Sequence, residues 1–209
     1  MTERPILFST PMVRAILAGQ KTQTRRAVKP QPAGEFLSLL KRPIRAEADP
    51  CVLRAWFQAG DGEQSSREVT CPYGMPGDRL WVRESHWFFQ DGHDPVTGYT
   101  PPVLTTDDCE YRADGESTRH GWRPSIHMPR WASRITLEIT GVRVERLQMI
   151  GDVDARAEGC SGGHGSIPGY GYSATPTEQF RALWLSINGP SSWEPNPWVW
   201  VVEFKRLET

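Results

Sequence analysis

A lysine, two threonines and two arginines fall within six residues, Lys21, Thr22, Thr24, Arg25 and Arg26, in the run Ile16-Leu17-Ala18-Gly19-Gln20-Lys21-Thr22-Gln23-Thr24-Arg25-Arg26. A threonine hydroxyl is too weak an acid to attack a carbonyl unaided at neutral pH; it needs a base beside it. Lysine serves as that base only where burial or a second cation lowers its ammonium pKa. A lysine and a threonine three residues apart meet only through a turn or bulge. By pattern alone the segment is a solvated basic turn that ends a helix. A second chemistry-bearing stretch is Trp122 to Arg134, where two tryptophans are interleaved with Arg123, Arg130, Arg134 and His127. Aromatic faces stack on nucleobases and guanidinium groups hold phosphates; the bland alternative is that the rings pack a core. His86 and His93, His120 and His127, and Cys160 and His164 are the only close ligand pairs, and no set of three or four has zinc spacing. The glycine-rich run at Gly162–Gly165 lacks the lysine and Ser/Thr of a phosphate-binding loop. No metal or cofactor is expected.

Short elements must position these residues. Pro5–Ser9 predicts an opening strand, and Thr10-Pro11 a helix start with a hydroxyl cap and proline at the first position. Val13, Ile16 and Leu17 share a helical face, and Gly19 supplies a left-handed end. Period-two alternation then points Lys21, Gln23 and Arg25 to one side, and Thr22, Thr24 and Arg26 to the other. Glu35–Leu40 reads as a short helix and Cys51–Phe57 as a strand. Gly77-Asp78 turns into a strand in which Leu80, Val82 and Glu84 alternate with Arg79, Trp81 and Arg83. Cys109–Arg112 is strand-like. Ile135, Leu137 and Ile139 alternate, and Thr140-Gly141 marks a bulge or a hairpin. Asp152 is placed to cap a helix over Val153–Glu158 that Gly159 ends, followed by a flexible glycine-rich loop. Thr175 and Glu178 form a capping box for a helix with Phe180, Leu183, Trp184 and Ile187 on its apolar face; Gly189-Pro190 stops it, and a last strand begins near Trp198.

Gly19, Lys21, Thr22, Thr24 and Arg26 spell G-x-K-T-x-T-x-R, which resembles the signature of the ASCH domain, a small β-barrel of the PUA-like superfamily. Gly77–Val82, Leu147–Glu158 and Trp200–Lys205 resemble further family segments in the expected order, so the resemblance covers about half the chain. It is similar in particular to bacterial N4-acetylcytidine amidohydrolases, and its opening also looks like ASCH-like proteins of phages. The resemblance implies an α+β, mostly β fold: one PUA-like barrel over residues 1–209 with short flanking helices and two long loop insertions, about 31–73 and 86–128. It implies a metal-free amidohydrolase acting on N4-acylated cytidine or a related modified nucleoside or nucleotide. Carried over residue by residue, Lys21, Thr24 and Glu158 form the catalytic set, with Thr24 the nucleophile and Lys21 its activator. Arg26 is assigned to substrate or oxyanion, and Thr22, Glu84, Arg130 and Arg134 complete the substrate-binding set, Glu84 also competing for the role of Glu158. In the rival mechanism water attacks directly, with Glu158 as base and Lys21 stabilising the oxyanion. A reading of another class is an RNA-binding PUA-like module, with or without ribonuclease activity.

Composition narrows the partners. The 209 residues carry a net charge of -1, so binding to RNA requires a local basic patch. Hydrophobic content is 38%, with 19 Gly and 18 Pro, which fits one domain rich in turns. No apolar run is long enough to span a membrane, and Cys51, Cys71, Cys109 and Cys160 lack C-x-x-C spacing. The expectation is a cytoplasmic monomer with reduced thiols.

Overall fold

The computed structural model describes residues 1–43, 51–58, 66–88, 104–115 and 121–208. Strand β1 (Glu3–Leu7) leads into helix α1 (Thr10–Leu17) and on to β2 (Gln23–Ala27). A meander follows, β3 (Glu35–Pro43), β4 (Cys51–Gln58) and β5 (Ser66–Thr70), then β6 (Arg79–Arg83), β7 (His86–Trp87) and β8 (Glu110–Tyr111). The chain closes with β9 (Thr136–Arg146), α2 (Asp152–Ala157), the pair β10 (Gly163–His164) and β11 (Ser173–Ala174), α3 (Pro176–Asn188) and β12 (Trp198–Leu207). The architecture is α+β, mostly sheet with few helices. No helix among the described residues is long and apolar enough to cross a membrane.

The main sheet runs β1-β6-β9-β12-β2, with β1 parallel to β6 and the other pairs antiparallel. Next to the edge strand β2 lies β12, whose Trp-Val-Trp-Val-Val run is apolar on both faces, the pattern of a strand covered on each side. Trp200, Val202 and Phe204 pack with Ile6, Val13, Ile16, Leu80 and Leu137 on one face. Val199 and Val201 pack with Ala155, Phe180 and Trp184 on the other. The sheet is thus sandwiched between α1 with the meander and α2 with α3. Trp200 is 1% exposed, and truncating it to alanine costs ~3–5 kcal/mol by the usual large-to-small rule. Thr140 is the extra residue of a bulge in the β9–β12 ladder, where Glu203 faces Gly141 and Phe204 faces Ile139. That resolves the bulge-or-hairpin alternative.

Among the described residues no ladder joins β1 to β2, and no closed barrel is found. The gap is spanned by a side chain: Arg26 Nη2 donates to Leu7 O at 2.6 Å, and its guanidinium lies 5.4 Å from the Phe8 ring centroid.

Several local expectations are corrected. Glu35–Leu40 is not a helix but part of β3, because Phe36 packs on Phe57 and Trp198, which rewards extended pairing over local propensity. The first insertion is therefore a three-stranded sheet, not a loop. Ser9, not Thr10, is the N-cap of α1, and its side chain makes no cap bond. Gly151, not Asp152, occupies the N-cap of α2; the Asp152 carboxylate instead accepts from Thr177 Oγ1 at 2.7 Å and ties α2 to α3. The glycine-rich loop is pinned by β10–β11 pairing. Ile187 is 53% exposed rather than on the apolar face of α3. The Thr175–Glu178 capping box and the left-handed Gly19 (φ +70°) form as expected.

A candidate active site around a buried lysine–glutamate pair

Gly19 lets the chain leave α1 in a tight turn, in which Gln20 N and Lys21 N both donate to Ala15 O at 2.8 and 3.0 Å. The chain then crosses the end of α2, with Lys21 bridged to Glu158 and Thr22 N donating to Ala157 O at 2.8 Å. Lys21 Nζ donates to Glu158 Oε2 at 2.7 Å and to Glu158 O at 2.9 Å. The two side chains are 0% and 3% exposed. The last turn of a short helix would ordinarily leave a glutamate in water; here the crossing strand covers it. Burial is the largest influence on Lys21 and pulls its pKa down, Glu158 opposes that, and the nearby Arg26 adds to the lowering.

One side of β2 carries Gln23 and Arg25, as alternation predicts. Gln23 Nε2 donates to Asp154 O at 3.2 Å. Arg25, whose side chain is fully buried, pairs with Asp154 at 2.7 Å, Glu145 at 3.0 Å and Glu158 at 3.5 Å. Arg143 joins the network through Glu145, Asp154 and Glu203. Burial raises the Asp154 pKa, but Arg25 and Arg143 outweigh it and hold the carboxyl below the usual range.

Thr24 and Arg26 lie on the other side, opposite Val202 and Trp200 of β12. Thr24 is 2% exposed, and its hydroxyl has no hydrogen-bond partner among the described residues. Because β2 is an edge strand, space beyond its edge is reached from both faces. Thr24, Arg25, Arg26 and Glu158 accordingly line one narrow cavity of about 60 Å³, capped by Met12 and Leu183. A larger apolar cavity of about 280 Å³ shares Met12, Glu158 and Leu183 and extends past Cys160 to Ile167. The structure therefore brings Lys21 and Glu158 into contact and places Thr24 on a shared cavity with Glu158. It does not hydrogen-bond Thr24 to Lys21. The chain matches no protein-family model, no curated protein and no solved structure.

The other expected substrate residues sit elsewhere. Thr22 is exposed. Glu84, 2% exposed, accepts from Arg134 through both oxygens at 3.0 and 3.2 Å, while Arg134 also pairs with Asp114 and lies 3.9 Å from the Tyr111 ring centroid. Burial raises the Glu84 pKa against the pull of Arg134. Its carboxylate is thus engaged in its own pair and does not touch Lys21. Arg130 pairs with Glu3 at 3.0 Å on the surface. Among the described residues no three His, Cys, Asp or Glu side chains are placed to share a metal ion.

Arg25 was noted in the sequence but given no role, and Asp154 and Phe8 were not singled out. Asp154 had a signal: it precedes Glu158 by four residues, so both acids share one face of the α2 turn. Phe8, 5.6 Å from Lys21 Nζ, had none.

Proposed function

We propose that the chain is an amidohydrolase of the ASCH type that removes the acyl group from N4-acylated cytidine or a related modified nucleoside or nucleotide. In this reading the main sheet is the wall of a PUA-like barrel whose β1–β2 gap Arg26 bridges. The observation that carries the proposal is the wholly buried Lys21, held by an equally buried carboxylate at the rim of a cavity that Thr24 also lines. Burial lowers the Lys21 pKa, and Glu158 at 2.7 Å is a ready acceptor for the proton the lysine must shed to become a base.

In the first half-reaction the neutral Lys21 amine takes the proton of Thr24, once bound substrate has brought the two within reach, as Oγ1 attacks the acyl carbon. The C–N bond then breaks, the cytosine amine takes that proton from Lys21, and an acyl-threonine ester remains. Water attacks the ester by the same route, releasing the carboxylic acid and restoring Thr24. Arg26, on the Thr24 side of β2, faces the charge that develops on the carbonyl oxygen.

Chromatography of N4-acetylcytidine and longer N4-acylcytidines incubated with the protein and EDTA tests this. Conversion to cytidine that disappears in Lys21→Ala and Thr24→Ala is expected. Full activity in Thr24→Ala, or no conversion by the parent chain, overturns it.

A further inference from the structure

The Trp–Arg stretch takes no part in the Lys21 site, yet it is built as a surface of its own. His86 and Arg123 exchange backbone hydrogen bonds at 2.9 and 3.3 Å, so the segment is stitched to β7. Met128 and Ala132 are fully buried, and Arg83 Nε donates to Met128 O at 3.1 Å. Between these anchors, Phe88, Arg123, His127 and Trp131 line an open hollow of about 530 Å³. Phe88 is stacked on buried His86 from behind, centroids 5.4 Å apart, and meets Trp131 edge-on at 4.8 Å. Trp131 remains 37% exposed.

The charge carried by the segment itself is one-sided. Residues 121–134 contain three arginines, one histidine and no Asp or Glu. Arg134 is neutralised by Glu84 and Asp114, and Arg130 by Glu3. Arg123 is different: its guanidinium lies 4.9 Å from the Trp87 centroid and 4.8 Å from the Phe88 centroid and joins no ion pair among the described residues. A cation held by two aromatic rings and without a carboxylate partner among the described residues, beside an exposed tryptophan and an exposed histidine, complements a flat base followed by an anionic linkage.

We propose that this hollow is a second site, separate from the Lys21 pair, that binds single-stranded nucleic acid. One base stacks on the Trp131–Phe88 pair and the adjoining phosphate meets Arg123 and His127. The site is open rather than enclosed, which suits a strand passing across it more than a free nucleotide.

Fluorescence anisotropy of labelled single-stranded RNA and DNA, titrated with the full chain at several salt concentrations, tests the proposal. Trp131→Ala is expected to weaken binding about tenfold, the size of one lost stacking contact. Trp131→Phe should restore most of it. Arg123→Gln should lower the slope of log affinity against log salt by about 0.7, one phosphate contact on a single strand. His127→Glu should weaken binding, whereas Arg181→Gln, a like change of charge on α3, should not. Melting curves confirm that each variant is folded. Absent binding at low salt, equal binding by all variants, or equal competition by a mononucleotide overturns the proposal. Hydrolysis of free nucleosides is read separately, so either site can fail alone.

Discussion

Removing the Glu158 charge should expose how much of the fold depends on the Lys21 pair. In Glu158→Gln, Arg25 keeps Asp154 at 2.7 Å and Glu145 at 3.0 Å, so it does not become an orphan. Lys21 does: Glu158 is its one carboxylate partner among the described residues, and its side chain is 0% exposed. Breaking a buried pair from one side costs ~3–5 kcal/mol. For a chain of this size that corresponds to a drop in melting temperature of roughly 6 to 20 °C. The cost should depend on pH. Lys21 already binds its proton less tightly when folded than when unfolded, and losing Glu158 removes an influence that raises its pKa. Between the lowered folded pKa and the unfolded value the unfolded chain holds more protons, so stability rises with pH in that window. The window is wider in the variant, and its deficit against the parent should shrink as pH rises below the unfolded lysine value of about 10.4. Urea unfolding followed by the fluorescence of the nine tryptophans measures both quantities. A second variant, Lys21→Met with Glu158→Gln, should recover most of the loss, because no buried charge is left unpaired. A deficit below about 1 kcal/mol, typical of surface pairs, or one that does not move with pH, refutes the reasoning.

Arg134→Gln should destabilise the chain more at neutral than at acidic pH. Glu84 has a raised folded pKa, so stability falls as pH rises through the window above the unfolded value, and losing Arg134 extends that window; parallel urea titrations at about pH 4.5 and about pH 7 read the difference. Gly159→Ala should cost ~1–3 kcal/mol, since φ is +89° and the new methyl would lie 3.1 Å from Ala15 Cβ and 3.4 Å from Lys21 Cβ; thermal unfolding measures it. Cys71 and Cys160 are buried with thiols pushed up to about 11, so iodoacetamide at neutral pH should leave both unmodified in the native chain and label both in urea, as peptide mass mapping would show.

Where structure follows from a few neighbouring residues, the sequence is readable. The Thr175–Glu178 box, Gly19 at the end of α1 and the inward alternation of Leu80, Val82 and Glu84 are all local chemistry, and all are present. Glu35–Leu40 failed because its conformation is decided by Phe57 and Trp198, partners far along the chain. The site was legible in the same proportion. Alternation put Gln23 and Arg25 on one side, and they are there; Lys21 lies ahead of β2 in its own bridge to Glu158. Nothing local says that Lys21 would cross the end of α2 and bury Glu158. Residue type alone could not separate Glu158 from Glu84 either: both are buried carboxylates, and only their partners, Lys21 with Arg25 in one case and Arg134 in the other, distinguish them.

The strand order also sets the order in which the sheet lets go. β12 is laddered by β9 on one side and by β2 on the other, so the amide protons it directs at β9 exchange only when that ladder opens, while those it directs at β2 are freed as soon as β2 lifts away. β2 is laddered on one side only, and towards β1 it makes, among the described residues, the single reach of Arg26 to Leu7. The strand that carries Thr24 and Arg26 therefore belongs to the shallow end of the protection ladder. Its detachment would leave the β9–β12 ladder paired but would cost the Arg25 ion pairs to Asp154 and Glu145.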